Sequence, residues 1–395
     1  MTAPYIQELT FVHGRMLRDR EMFDDAVTVR AGIISDSESH AVCDLTGYDI
    51  LPGIIDLHGD AFERHIAPRP TAPFSIEMGL VGTDRDAAAQ GVTTAWMAQS
   101  WSWEGAGRGP DFAEQFMVAH QRYKQQMLTD LRIQIRCETH TVDTEARLIA
   151  ALRAYDIDYV VFNNHLDEAV EIAKTHPARI ADWASRANRT AEEHMAVVNA
   201  TRDLADQVPR YLCNLASVFD ALGVRYGSHD DQDARTREYY AMIGAKICEF
   251  PTQAGAAAAA KASGDPVIMG APNVVRGGSQ AGNISATMLI RDGLCDVLVS
   301  DYHYPTLSHA ALALVDQDMM DLPQAWSMIS SNAAKVMGLT DRGVLQPGKR
   351  ADLVIMNRET RQIEATMAGG RWSYLSGGIA HRLTSAAPRL RVAAE

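Results

Sequence analysis

Leu51-Pro-Gly-Ile-Ile-Asp-Leu-His-Gly-Asp60 is the stretch on which the fold turns. The pair Pro52-Gly53 opens a short apolar run that closes on His58 and Asp60. A run of this length after a turn reads as a buried strand. Residues two apart on a strand point to one side, so His58 and Asp60 can reach a single ion. Imidazole nitrogen and carboxylate oxygen are donors that divalent metals accept.

Similar runs recur along the chain at 92–97, 133–138, 159–165, 225–229, 247–250, 266–271 and 296–301. Helix-like stretches lie between them, among them 190–207 and the alanine-rich 253–262. About eight strand–helix units predict an α/β fold, a (β/α)₈ TIM-type barrel, for which about 250 residues are typical. An open doubly wound sheet would alternate similarly, but no GxGxxG turn follows the first strand. Outside the barrel, short strands are predicted at 8–13 and 26–34, and again at 343–356 and 363–371. This places the barrel at 51–339 and a small composite β-sandwich domain at 1–50 and 340–395. The end, from about residue 385, reads as a loose tail.

The 395 residues are enough to bury a large core, and 47% hydrophobic with 22% charged residues is ordinary for a globular chain. A formal charge of −13 argues against a nucleic-acid or anionic-membrane surface. It leaves room for an anionic substrate, because a local arginine cluster overrides a distant field. The five scattered cysteines contain no CxxC pair and set up no disulfide framework. Neither a basic-then-apolar leader nor a bilayer-length apolar run is visible, so a cytoplasmic protein is expected.

The polar residues that close the runs carry the chemistry. His58 and Asp60 close the first, Glu138 the third and His165 the fourth, while His229 and Asp301 close later ones. A barrel points all strand ends to one face, so these six are expected to hold metal, with Glu138 suited to bridge two ions. Asp301 can also take a proton from the attacking water. Any one of them alone would more often be a satisfied polar residue or a helix cap. Six at matching ends are explained together by one shared cavity. Zinc is preferred, and Mn²⁺, Fe²⁺ or Ni²⁺ would suit the same donors.

Leu51 to Asp60 resembles the first barrel strand of the amidohydrolase superfamily, with Asp60 where that motif usually has a second His. Gly348-Lys-Arg-Ala-Asp-Leu-Val resembles the superfamily's return into its β-sandwich. The segments Ala67-Pro-Arg-Pro, Ser228-His-Asp-Asp, Met269-Gly-Ala-Pro-Asn-Val-Val-Arg-Gly-Gly-Ser and Ser300-Asp-Tyr narrow the match. They are similar to the PhnM family of α-D-ribose 1-methylphosphonate 5-triphosphate diphosphatases of the carbon–phosphorus lyase pathway. The resemblance implies hydrolysis of a 5-triphosphate to a 5-phosphate with release of pyrophosphate. The segments around Asn163-Asn-His and Ser100-Trp-Ser-Trp-Glu depart from that family's pattern.

A triphosphate needs metals, guanidinium groups and backbone N–H donors. Asn273 and Arg276-Gly277-Gly278-Ser279 offer such groups after the seventh strand, the glycines allowing close backbone approach. Arg64 and Arg69 are expected to overhang the metals, although surface charge is as good a reading of Arg64. Trp101 and Trp103 could shield the site or simply pack a loop. The expected partner is a small phosphorylated sugar, and a homodimer is compatible with the sequence. Two rivals stand beside this reading. One is C–N hydrolysis by a deacylase or cyclic amidase, which uses much the same metal machinery, and the other is a non-catalytic scaffold.

Overall fold

The computed structural model describes residue 6 and residues 8–385, apart from Asp19, Glu38, Pro70, Thr71 and Ala281. The expected tail therefore lies almost wholly outside the described residues. Eight strands form one sheet in chain order: β1 (Ile54–Gly59), β2 (Val92–Trp101), β3 (Asp130–Glu138), β4 (Tyr159–Asn163), β5 (Arg225–His229), β6 (Ile247–Glu249), β7 (Val267–Gly270) and β8 (Val297–Val299). Every neighbouring pair is parallel. The first and last strands meet through a parallel bridge between Gly59 and Asp301. Asp301 N donates to His58 O at 3.0 Å and Asp60 N to Asp301 O at 2.7 Å. Below them, the buried Asp56 carboxylate accepts from Ser300 N at 2.9 Å and Ser300 Oγ at 2.6 Å. This is the expected (β/α)₈ barrel.

The strands are apolar because both faces are covered. Ile55, Leu57, Trp96, Tyr159, Val161, Ile247, Ile268, Val297 and Val299 fill the lumen, joined at the strand starts by Ala333 and Ala334. The helices Ile76–Ala89, Pro110–Tyr123, Glu145–Ala154, Val208–Leu222 and Thr306–Asp316 pack the outer face. The alanine-rich stretch forms the helix Ala254–Ala262, as its propensity predicts. Three helices, Leu166–Thr175, Pro177–Arg186 and Ala191–Arg202, form an insertion after β4. The last begins at a capping box: Thr190 Oγ1 accepts from Glu193 N at 3.1 Å, and Glu193 Oε2 accepts from Thr190 N at 2.8 Å.

Two further sheets come from both ends of the chain. One has the order Ile33–Ser35, Val27–Arg30, Glu8–Val12, Val42–Asp44. The other runs Arg371–Leu375, Ile363–Ala368, Leu353–Asn357, Tyr48–Pro52, Arg15–Arg18, Glu21–Asp24. They share a core of Phe11, Met16, Val29, Ile50, Leu353, Ile355 and Met367. Because Tyr48–Pro52 pairs antiparallel with Leu353–Asn357 and runs straight into β1, this sheet anchors the strand that carries His58. Arg342 ties this region to β3 and β2, giving Nη1 to Asp130 at 2.7 Å and to Thr94 Oγ1 at 3.0 Å.

Candidate active site

Alternation along the strands decides which side chains meet at the C-terminal mouth. On β6, Ile247 fills the lumen, and Glu249, two residues on, lies fully buried beneath two imidazoles. Its Oε2 accepts from His58 Nδ1 at 2.8 Å and His229 Nδ1 at 2.7 Å. Its Oε1 accepts from Gln134 Nε2 and the Tyr159 hydroxyl, each at 3.0 Å. Burial alone would raise this carboxyl, but the charge of His58 and the bonds from both imidazoles hold it well below the carboxylate range. An ionised carboxylate only accepts, so both rings carry a proton on Nδ1, and in its neutral form each has its lone pair on Nε2. The rings stack 22° from parallel with centroids 5.1 Å apart, both with Nδ1 on the same carboxylate oxygen. The imidazoles nevertheless differ. For His58, burial lowers the pKa but the Glu249 charge prevails and raises it, whereas for His229 burial wins.

Above the imidazoles is a cavity of about 300 Å³ whose walls include His58, Asp60, Arg136, His229, Arg276 and Asp301. The β1–β8 bridge sets Asp60 and Asp301 side by side. Burial raises both carboxyls; each also feels a neighbouring carboxylate, Asp301 for Asp60 and Asp230 for Asp301. Asp230, Phe250 and Asp301 follow β5, β6 and β8, and all have positive φ: 57°, 51° and 55°. Strained backbone at three strand ends on one face is typical of a built site. Two imidazoles beside two half-buried carboxylates fit a divalent cation, which would offset the repulsion between the carboxylates.

Glu138 and His165 form a second group, joined by Glu104 from the loop after β2. His165 Nδ1 lies 2.6 Å from Glu138 Oε1 and 3.9 Å from Glu104 Oε1. Glu138 Oε2 accepts from His165 N at 3.1 Å and Trp103 Nε1 at 3.3 Å. Glu104 accepts from Arg108 Nη1 at 3.4 Å and, through a short contact, from Trp183 Nε1 of the insertion. Burial would raise Glu138, but the charge and hydrogen bonds of His165 bring it below its usual value.

The six expected ligands therefore divide. His58, Asp60, His229 and Asp301 line one cavity, while Glu138 and His165 pair beside it. Of the expected substrate contacts, Asn273, Arg276, Gly278 and Ser279 line the cavity; Gly277 caps the preceding helix at φ 79°. Asn273 also holds its own loop, donating to Ile284 O at 3.3 Å and accepting from Ala286 N at 2.9 Å. Arg64 turns to Asp86 at 3.2 Å and His303 at 3.4 Å, and Arg69 is exposed; neither lines the cavity. Trp101 is buried in the outer core, its Nε1 on Thr144 Oγ1 at 2.9 Å, so it packs the loop. Trp103 reaches Glu138.

Three residues escaped the sequence reading: Arg136, Glu249 and Glu104. Each had a signal. Glu249 stands one residue before the end of a recognised strand run, and Arg136 stands two before Glu138, the spacing that joins His58 to Asp60. Glu104 lies just past the end of β2 on the same face.

Comparison with known proteins agrees with this architecture. The Amidohydrolase family matches residues 292–378. The α-D-ribose 1-methylphosphonate 5-triphosphate diphosphatase of Escherichia coli (strain K12) is 29% identical over 347 residues, covering 85% of this chain and 90% of its own. The crystal structure of an amidohydrolase superposes with TM-score 0.64 at 13% identity, covering 94% of this chain and 99% of its own. N-acetylglucosamine-6-phosphate deacetylase from Pasteurella multocida gives 0.62 at 12%, covering 92% and 99%. In its closed barrel and two terminal sheets, and over residues 292–378 in sequence, this protein is similar to the hydrolases of the amidohydrolase superfamily.

Proposed function

We propose that this chain is a metal-dependent diphosphatase that hydrolyses the 5-triphosphate of α-D-ribose 1-methylphosphonate. The products would be the 5-phosphate and pyrophosphate, in the cytoplasmic breakdown of phosphonates. The observation that carries this reading is a cavity in which two guanidinium groups, Arg136 and Arg276, share walls with the imidazoles and carboxylates. A neutral amide has little use for two arginines, whereas a polyphosphate needs several cationic donors. The reaction named for the E. coli relative supports the same choice.

Divalent ions, zinc foremost, would be held by His58, Asp60, His229 and Asp301, with Glu138 and His165 beside them. When bound they supply a lowered water pKa and neutralise phosphoryl oxygens. The chain's own groups do the rest. Glu249 orients the two imidazoles, and Asp301 accepts the proton from the attacking water. Arg276, Ser279 and Gly278 hold the leaving pyrophosphate at the cavity mouth.

The test is direct. The zinc-loaded protein is incubated with the ribose methylphosphonate triphosphate, and pyrophosphate is followed against amine release from N-acetyl sugar phosphates and cyclic amides. Pyrophosphate release supports the proposal. Amine release without it would replace the proposal by C–N hydrolysis.

A further inference from the structure

We infer that Arg136 is a phosphoryl-binding residue, its guanidinium receiving a phosphate group of the substrate on the cavity wall beside His229. The inference rests on the phosphorylated substrate proposed above and adds to it the residue that selects for phosphate.

Arg136 is on β3, two residues before Glu138, and lines the cavity with 8% of its surface exposed. Burying a guanidinium is unfavourable unless it is paired. The other buried arginines among the described residues are paired. Arg237 meets Asp265 at 3.3 Å and Asp231 at 3.6 Å, and Arg342 meets Asp130 at 2.7 Å and Asp341 at 2.9 Å. Arg136 makes no such ion pair among the described residues. Its hydrogen bond is from Nη2 to His229 Nε2 at 3.2 Å, and its Nε is buried without a partner. Asp60, Glu138 and Asp301 feel its charge, but none of them closes on it.

A buried cation held in a cavity wall with donors to spare is built for an anion that arrives from outside. The planar fork of guanidinium matches two oxygens of one phosphoryl group, a geometry that a lysine ammonium does not reproduce. Arg276, partly solvated and only loosely bonded to Gln280 at 3.3 Å and Tyr302 at 3.4 Å, supplies a second, adjustable guanidinium.

The alternative is that Arg136 merely steadies His229. Zinc-loaded wild type, Arg136→Lys and Arg136→Met are compared by calorimetric titration with inorganic tripolyphosphate, by zinc content, and by turnover of the sugar triphosphate. The lysine variant keeps a positive charge beside His229 but loses the fork. Both variants should bind tripolyphosphate about 10- to 100-fold more weakly, with zinc content unchanged. If either folded variant binds it within twofold of wild type while wild type turns the substrate over, the inference fails and the proposed function stands. Loss of zinc in the lysine variant also overturns it, because Arg136 then acts through His229. A wild type that neither binds tripolyphosphate nor releases pyrophosphate overturns both readings. Should the methionine variant fail to fold, the lysine variant decides.

Discussion

Replacing Glu249 by glutamine is expected to weaken zinc binding by about 10- to 100-fold while the barrel stays folded. The magnitude can be worked from the four hydrogen bonds on this carboxylate. In Glu249→Gln the amide oxygen can still face the two imidazoles, leaving its N–H₂ toward Gln134 and Tyr159. Gln134 Oε1 is buried without a partner, so a flip of that amide accepts the new donor. The loss therefore falls on the two bonds from His58 and His229, which change from charge-assisted to neutral. A bond to a charged acceptor contributes about 1.5–3 kcal/mol, and neutralising the acceptor removes roughly half of each. Two such losses total about 1.5–3 kcal/mol, and about 1.4 kcal/mol corresponds to a factor of ten.

Zinc affinity would be measured by competition with a chromophoric chelator, alongside thermal unfolding of the metal-free protein. Nitrogen chemical shifts of the two imidazoles report their tautomers independently. Wild-type affinity within twofold, with both rings still protonated at Nδ1, would refute the argument that the carboxylate is what aims Nε2 into the cavity.

Asp301→Asn should keep the fold and bind zinc yet lose turnover, since asparagine tolerates the positive φ at this position; near-normal kcat would remove Asp301 as the proton acceptor. Arg276→Ala should raise KM for the triphosphate without altering zinc content, and unchanged kinetics would count against a contact there. Arg342→Met strips Asp130 of its buried partner at 2.7 Å and should cost about 3 kcal/mol, read from urea unfolding; a cost below about 0.5 kcal/mol would show that Arg132 and Arg350 suffice. Stability should also fall in mildly acidic solution. His194, buried between Trp103 and Trp183, and His120, held on Leu131 O at 2.8 Å, are both pushed below the usual histidine value, chiefly by burial. For a depressed folded pKa the unfolded chain binds more protons, so stability is full above about pH 6.5 and declines as pH falls toward the folded values. The denaturation midpoint of His194→Phe should vary less with pH than that of wild type; an identical pH profile would exclude His194 as a contributor.

What could be read from the sequence, and what could not, follows from the geometry of a closed barrel. Strand ends were legible because apolar runs stop where polar residues begin, and that local change survives in one dimension. His58, His229 and Asp301 were placed at strand ends in this way, and they line one cavity. The grouping of strand ends was not legible, since it depends on which strands are neighbours across the lumen. Glu138 follows β3 and His165 follows β4, and adjacent strands bring them to 2.6 Å. Glu249 instead meets His229 from the neighbouring β5 and His58 from β1, across the lumen. Nothing in Ile247-Cys-Glu-Phe marks that carboxylate as the base of two imidazoles, because its charge becomes meaningful only once the barrel has removed it from water. Arg136 makes the point most sharply. In sequence it is one arginine among many, beside Arg132, which pairs with Asp130 at 3.0 Å and Asp158 at 2.8 Å. Four residues further along the same strand, the lumen excludes most solvent and, among the described residues, supplies no carboxylate partner. The burial that gives the guanidinium a function is a property of the ring, not of the residue.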